Sequence, residues 1–355
     1  MAKNERKFLK GNEAVAHGAL AAGCRCFFGY PITPQNDIPE FMSKAIVDAG
    51  GEFVQAESEV AAANMLLGAG ACGIRAMTSS SSPGVSLKQE AISYMAGSDI
   101  PAVIVNMSRG GPGLGDIGPS QGDYYQSTRG GGHGDYRTLV LAPGTVQEAF
   151  DLTMLAFDLA FKYRNPVLVL GDAIVGQMKE PVLMRPAVKV SKAEGKSWRL
   201  EGKGTRKPRI IKSLFLDDGA LADQNRRLQA KYEAMRAEIM AEEFQVKDAE
   251  LVVVAFGSIG RIAKTAVRKL RAKGKKVGLF RPITLFPFPD AALAKLAKAG
   301  KKFLTIEHNL GQMVDDVRLA VRAHADSGFF GVYPGDMPSP EDFEEPILKA
   351  LRRKK

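Results

Sequence analysis

The 355-residue sequence holds only three cysteines, Cys24, Cys26 and Cys72. An all-cysteine iron–sulfur cluster takes four thiolates, so this chain alone cannot carry one of that kind. The odd count argues against a disulfide framework, and Cys24-Arg25-Cys26 reads as part of a buried strand rather than a redox pair. Long apolar runs are equally scarce. Stretches such as Leu251 to Phe256 fall far short of the roughly 20 residues that cross a bilayer. The basic start MAKNERKFLKGNEA has neither an apolar core nor a small-residue cleavage site. A cytoplasmic protein with no membrane partner is the expectation. Phosphate loops are missing too. The run Arg109-Gly110-Gly111-Pro112-Gly113-Leu114-Gly115 lacks the lysine that G-x-x-x-x-G-K-[ST] requires, and Gly257-Ser258-Ile259-Gly260 is only a fragment of the dinucleotide fingerprint.

Charge is present but unevenly placed. The net charge is +10, yet residues 1–185 carry 15 Lys+Arg against 18 Asp+Glu, and residues 186–355 carry 34 against 21. The basic excess is spread over Lys189 to Lys212, Lys264 to Lys276 and Arg352 to Lys355 instead of forming a stripe interleaved with aromatics, so no nucleic-acid partner is expected. An acidic protein surface suits such a patch, because opposite charge speeds encounter.

Residues 1–185 alternate short apolar runs with helical stretches. Strands are predicted at Cys24 to Tyr30, Phe53 to Ala56, Gly73 to Thr78, Ala102 to Met107, Thr138 to Leu141 and Val167 to Gly171. Helices are predicted at Gly11 to Ala22, Asp37 to Ala49, Val60 to Gly70, Val85 to Ala96 and Val146 to Tyr163. This alternation implies an α/β fold with a doubly wound parallel sheet, whose ligands sit beyond the carboxyl ends of the strands. Residues 186–248 form a basic connector with a helical stretch from Ala220 to Phe244. A smaller α/β unit follows over 249–348: strand Leu251 to Ala255, helix to Ala272, strand Val277 to Phe280, helix Asp290 to Ala299, strand Lys302 to Glu307 and a helix from Met313. Residues 349–355 are a basic tail.

Two stretches point to chemistry. Gly29 to Phe41, GYPITPQNDIPEF, places Pro31, Pro34 and Pro39 after a predicted strand, making a stiff loop at a strand end. In Gln55 to Gly70, Ser58 can cap a helix opened by Glu59, and the alanine- and glycine-rich helix lets another backbone approach closely. On these residues alone, a rigid turn and a helix-dipole acid explain both.

The wider set of motifs carries more. YPITP at 30–34, Glu57-Ser58-Glu59 with Gly68 beyond it, TSSSSPG at 78–84, the Arg109 loop, PSQGDYYQSTRGGGHGDYR at 119–137 and FRPITLFPFP at 280–289 together resemble the alpha-type subunit of 2-oxoacid:ferredoxin oxidoreductases. PITPQND is most similar to the branched-chain, 3-methyl-2-oxobutanoate type. The resemblance spans nearly the whole chain and is weakest over 186–248.

That resemblance implies oxidative decarboxylation of a 2-oxo acid on thiamine diphosphate, with reduction of ferredoxin and acyl transfer to coenzyme A. The first unit becomes a thiamine-diphosphate pyrimidine-binding domain, and the second a transketolase-C-terminal-like domain. Glu59 matches the carboxylate that both binds and activates the cofactor's aminopyrimidine, with Glu57 as fallback. Thr33 and Arg109 match the pair that holds the substrate, the flanking prolines freezing the Thr33 hydroxyl and Arg109 meeting the carboxylate with a planar fork. The GDG…Asn motif that binds diphosphate and Mg²⁺ in thiamine enzymes is absent, since Gly171-Asp172-Ala173 lacks the second glycine. The resemblance therefore assigns no metal to this chain. Diphosphate and Mg²⁺ fall to a beta-type subunit, and the iron–sulfur clusters to ferredoxin-like and gamma-type subunits. A non-catalytic interaction subunit of the same fold, and 2-oxoglutarate or pyruvate as substrate, are the competing readings.

Overall fold

Residues 102–108, AVIVNMS, are buried along their whole length, as a central strand covered on both faces must be. They form the spine of the larger of the two main sheets. The computed structural model describes residues 5–353. In chain order its elements begin β1 (Arg6–Lys10), α1 (Gly11–Ala21), β2 (Cys26–Gly29), α2 (Asp37–Asp48), β3 (Glu52–Gln55), α3 (Glu59–Ala71), β4 (Ala76–Ser80), α4 (Ser82–Ser86), α5 (Gln89–Gly97) and β5 (Ala102–Ser108). Next come α6 (Tyr124–Arg129), β6 (Leu139–Leu141), α7 (Val146–Tyr163), β7 (Pro166–Asp172), α8 (Ala173–Gln177), β8 (Lys179–Leu183), α9 (Ala220–Ala234), β9 (Ala241–Phe244) and β10 (Leu251–Val254). The chain continues through α10 (Gly257–Ala272), β11 (Val277–Pro282), β12 (Thr284–Phe286), α11 (Asp290–Lys298), β13 (Lys302–Glu307), α12 (Met313–Val321), β14 (Ser327–Gly331) and α13 (Glu344–Arg352).

The larger sheet has the order β12-β6-β7-β5-β4-β2-β3, parallel except for β12 against β6. The smaller is β14-β13-β10-β11-β9, parallel except for β9. Both are α/β layers, as expected. Strands β1 and β8 pair separately as an antiparallel ribbon that no sequence pattern announced.

Two differences from the expected elements share one cause. The helix predicted from Ala220 to Phe244 ends at Ala234, because Ala241–Phe244 pairs with β11 as an edge strand. Likewise Thr284–Phe286, inside FRPITLFPFP, leaves its own unit to close the larger sheet beside β6. The two sheets thus exchange edges. Ion pairs and hydrogen bonds lock the exchange: Arg281 on β11 holds Glu148 with two bonds and Glu242 with a third. Gln121 also bonds to His308, Asn309 and Phe256.

The connector after Leu183 lies along the first layer. Arg75, itself buried, grips Glu194 through two bonds and Asp158 through a third. Val188 donates its backbone N–H to Ala21, and Leu200 to Ala71. Of the expected tail at 349–355, residues through Arg352 belong to α13, and Lys354 and Lys355 lie outside the described residues. Among the described residues, no helix is long and apolar enough to cross a membrane.

Candidate active site

From β2 the chain runs to the sheet edge at β3, then crosses back to β4 on the other side of β2. That reversal is the topological switch point, where a crevice opens beyond the strand ends. The Thr33 loop leaves β2 there, Glu59 follows β3, α4 follows β4, and Arg109 follows β5.

The proline loop is pinned from three directions. Asn12 and Gln177 both donate to the Pro34 carbonyl, at 2.9 and 3.0 Å. Asn36 accepts from the Ile32 N–H at 2.9 Å. Arg109 donates from Nη1 to the Thr33 carbonyl at 2.9 Å and from Nη2 to the Leu114 carbonyl at 3.0 Å. Thr33 and Arg109 are therefore in contact, but through the Thr33 backbone instead of its side chain. The Thr33 hydroxyl is exposed and accepts a single long bond, 3.5 Å, from Asn36.

Arg109 is only 8% exposed. Among the described residues no carboxylate pairs with it, and its Nε is buried without a partner. A buried cation with an unmatched donor is costly unless something anionic completes it. Arg109 is thus no surface ion-pair partner among the described residues, and its unmatched donor fits a ligand carboxylate.

Glu59 occupies the first turn of α3, whose cap is Ser58 accepting from the Ala61 N–H at 3.2 Å. The side chain is 6% exposed, and among the described residues none donates a hydrogen bond to its carboxylate. Glu57, two residues earlier, is exposed instead. Gly84 in α4 lies against Glu59: a Cβ there would overlap the Ser80 hydroxyl and come within 2.6 Å of Glu59 Oε1. The hydroxyls of Ser80 and Ser81 are buried and unpartnered. An acceptor without donors, beside hydroxyls without partners and a glycine that keeps the approach open, fits a polar heteroaromatic ring such as an aminopyrimidine.

Helix α4 ties these groups to Arg109. Ser82, at φ +22°, accepts from the Arg109 N–H at 2.9 Å, and its hydroxyl donates to Asp123 at 2.6 Å. Asn106 completes the clasp by accepting from the Ser82 N–H and donating to Asp123. Sequence reasoning singled out none of Ser82, Asn106 and Asp123. It also missed Lys88, where the helix predicted over Val85 to Ala96 breaks into α4 and α5. Lys88 is fully buried, and its ammonium donates to the Glu59 carbonyl and to Thr78 Oγ1, each at 3.3 Å. Burial pulls the ammonium down to about 8, against the Glu59 carboxylate, which pushes it up. The serine-rich run TSSSSPG and the stretch at 119–137 were the signals near these residues, and they said nothing of which side chains turn inward.

Two concavities, of about 360 Å³ beside Arg164 and Phe215 and about 320 Å³ beside Arg137 and Phe288, touch none of Thr33, Glu59 and Arg109.

Known proteins resemble this chain over its full length. Residues 17–247 match the thiamine-diphosphate-binding model of the pyruvate flavodoxin/ferredoxin oxidoreductases, and residues 249–343 match core domain II of pyruvate:ferredoxin oxidoreductase. The ketoisovalerate oxidoreductase subunit VorB of Methanothermobacter marburgensis is 52% identical, the match covering 88% of this chain and 89% of that one. The 2-oxoglutarate synthase subunit KorA of Methanocaldococcus jannaschii is 37% identical over 96% and 99%. Among solved structures, the 2-oxoglutarate:ferredoxin oxidoreductase of Magnetococcus marinus superposes with a TM-score of 0.86 at 24% identity, covering 99% of this chain and 66% of its own. A split-gene transketolase shares the fold at a TM-score of 0.62 and 12% identity. With both family models matching and a relative 52% identical over 88% of its length, the chain belongs to the thiamine-diphosphate-binding 2-oxoacid:ferredoxin oxidoreductases.

Proposed function

We propose that this chain is the catalytic, pyrimidine-binding subunit of a branched-chain 2-oxoacid:ferredoxin oxidoreductase. Residues 1–185 form the pyrimidine-binding domain, 186–248 the connector and 249–348 the transketolase-C-terminal-like domain. Thiamine diphosphate, when bound, supplies the electron sink that lets a 2-oxo acid lose carbon dioxide, before electrons pass to iron–sulfur clusters and the acyl group to coenzyme A. Glu59 would share one proton with the pyrimidine ring nitrogen, donating it as a carboxylic acid and taking it back as a carboxylate, a general acid–base role that a carboxylate with no donor among the described residues suits. Arg109 offers its unpartnered Nε to the substrate carboxylate while Thr33 and Leu114 keep the guanidinium oriented. The Thr33 hydroxyl, exposed beside it, donates to the same substrate.

One observation carries this reading: a buried arginine and a buried glutamate, neither in an ion pair among the described residues, both follow strands that flank one switch point. The missing half of the site suits a beta-type subunit that brings diphosphate, Mg²⁺ and most of the apolar pocket. Ferredoxin-like and gamma-type subunits supply the clusters that pass electrons to ferredoxin in the cytoplasm. The ketoisovalerate name of the 52%-identical relative supports a branched-chain substrate. The test is Glu59→Gln in the reconstituted complex. Loss of 2-oxoacid-dependent viologen reduction with assembly intact supports the role, and unchanged turnover refutes it in favour of a non-catalytic subunit. Assays with 3-methyl-2-oxobutanoate, 2-oxoglutarate and pyruvate rank the substrates.

A further inference from the structure

We propose that Asp123 is a positioning residue for Arg109, the relay through which the second α/β unit holds the substrate arginine in place. The inference rests on Arg109 meeting the substrate carboxylate.

The relay begins at the Arg109 backbone. Its N–H donates to Ser82 Oγ at 2.9 Å, which occupies a lone pair of that hydroxyl. The hydroxyl hydrogen must then point elsewhere, and Asp123 Oδ2 lies 2.6 Å away, against 3.4 Å for the Arg109 carbonyl and 3.5 Å for Ser108 Oγ. The same Oδ2 accepts from Asn106 Nδ2 at 2.8 Å. The Asn106 amide cannot turn over, because its Oδ1 is needed by the Ser82 N–H at 3.0 Å. Ser82 sits at φ +22°, where serine is uncommon and persists only when its surroundings over-determine it. Its bonds to Arg109, Asn106 and Asp123 do so. What Asp123 supplies is one acceptor oxygen shared by two donors, a task that an amide oxygen performs as well.

Asp123 is in turn held from the second unit. Gln121 donates its backbone N–H to the His308 carbonyl at 2.8 Å, and its side chain accepts from the His308 N–H at 3.1 Å. Asn309 Nδ2 donates to the Gln121 carbonyl at 2.9 Å. Gln312 spans the aspartate: Nε2 donates to the Gly122 carbonyl at 2.7 Å, and Oε1 accepts from the Tyr125 N–H at 2.8 Å. Backbone groups on both sides of Asp123 are thus fixed by the segment that follows β13. A parallel route reinforces the first, since the Gly335 N–H reaches the Pro119 carbonyl at 3.0 Å and Pro119 bridges to Arg109. The carbonyls that orient the guanidinium belong to exposed loop residues, Thr33 and Leu114. The firmly held end of Arg109 is therefore its backbone, and Asp123 holds it through Ser82.

The experiment compares reconstituted complexes carrying the wild-type chain, Asp123→Ala, Asp123→Asn, Arg109→Lys and the Asp123→Ala, Arg109→Lys double variant. It reads kcat and KM separately for the 2-oxo acid turned over fastest, together with the melting temperature. Asp123→Ala is expected to raise KM about tenfold with kcat within about twofold of wild type. Asp123→Asn keeps an acceptor for both donors and is expected to hold KM within about threefold of wild type. In the double variant the losses should be less than multiplicative, because a flexible lysine without the Thr33 and Leu114 bonds gains little from a fixed backbone. A raised KM in Arg109→Lys beside an unchanged KM in Asp123→Ala overturns this proposal alone. So do multiplicative losses in the double variant, an Asp123→Asn no better than Asp123→Ala, or a lower kcat and melting temperature at unchanged KM, which would make Asp123 structural. An unchanged KM in Arg109→Lys overturns the reading of Arg109 and this inference with it. Should Asp123→Ala fail to assemble, Ser82→Gly decides, since it removes the oriented hydroxyl and tolerates the positive φ: a raised KM supports the relay, and an unchanged KM overturns it.

Discussion

Two buried glutamates stand at strand ends in the two sheets, and they are treated in opposite ways. Glu307, the last residue of β13, accepts from the backbone N–H groups of Met313, Val314 and Gln312 at 2.7, 2.9 and 3.3 Å, and from Asn309 at 3.0 Å. Burial still pushes its carboxyl up, but every lone pair that points inward has a donor. Among the described residues, Glu59, beyond β3, has none. The arginines repeat the contrast. Arg281 is buried between Glu148 and Glu242, whereas Arg109, also buried, has no carboxylate among the described residues and leaves Nε idle. Buried charge that is satisfied within the chain holds the fold together, and buried charge left unsatisfied is waiting for a ligand. The second layer is structural by this criterion, and the first holds the chemistry.

The contrast breaks first at Glu59. Glu59→Gln is expected to lower kcat of the assembled complex by about 10²–10⁴-fold, with a stability change within about 0.5 kcal/mol; a change in melting temperature large enough to explain the lost turnover would show that Glu59 is structural after all. Glu307→Ala should do the reverse. It strips the acceptor from the buried start of α12 and is expected to destabilise the chain by on the order of 3 kcal/mol, measured by urea unfolding, with no specific effect on turnover of whatever folds. Arg109→Lys keeps a charge but loses the two bonds by which Thr33 and Leu114 orient the guanidinium, and with them the Nε offered to the substrate, so kcat/KM for the 2-oxo acid should fall about 10–100-fold through KM. An unchanged KM would detach Arg109 from the substrate.

The smallest expected effect concerns stability at Lys88. Its ammonium holds protons less tightly when folded than when unfolded, so the folded state is disfavoured at neutral pH and the handicap fades as pH rises from about 8 toward 10.5. Lys88→Met should therefore raise stability at pH 7 by about 2–3 kcal/mol and flatten that rise. Chemical denaturation at pH 7 and pH 10 checks both, and a destabilised Lys88→Met protein would assign the lysine to the fold alone.

Much of the architecture could be read from the sequence because it is written in local periodicity. Val146–Tyr163 is a helix with the expected limits, its apolar face repeating at helical spacing and Thr145 capping its start through the Glu148 N–H. The central strands announced themselves as short apolar runs. Lys88 did not, because a lysine in SLKQE looks like any solvated helix residue, and its burial depends on α3 and β4 packing over it. Nor did the orientation of Thr33, whose carbonyl, not its hydroxyl, meets Arg109; the direction of a loop backbone is settled by the side chains that reach it from other elements. Strands β9 and β12 were hidden for a similar reason. Each is an edge strand of three or four residues, too short to carry a period, and pairing partners far along the chain select its conformation.

The amino-acid order by itself determined the alternation of strands and helices, the absence of a metal-binding GDG motif and the positions of an acid and a cation at strand ends, because these follow from neighbours within a few residues. Only the tertiary structure decided which of those charges are satisfied. Hydrogen-bond partners for a buried group come from elements distant in sequence, and whether they arrive is a property of packing, not of the local chain.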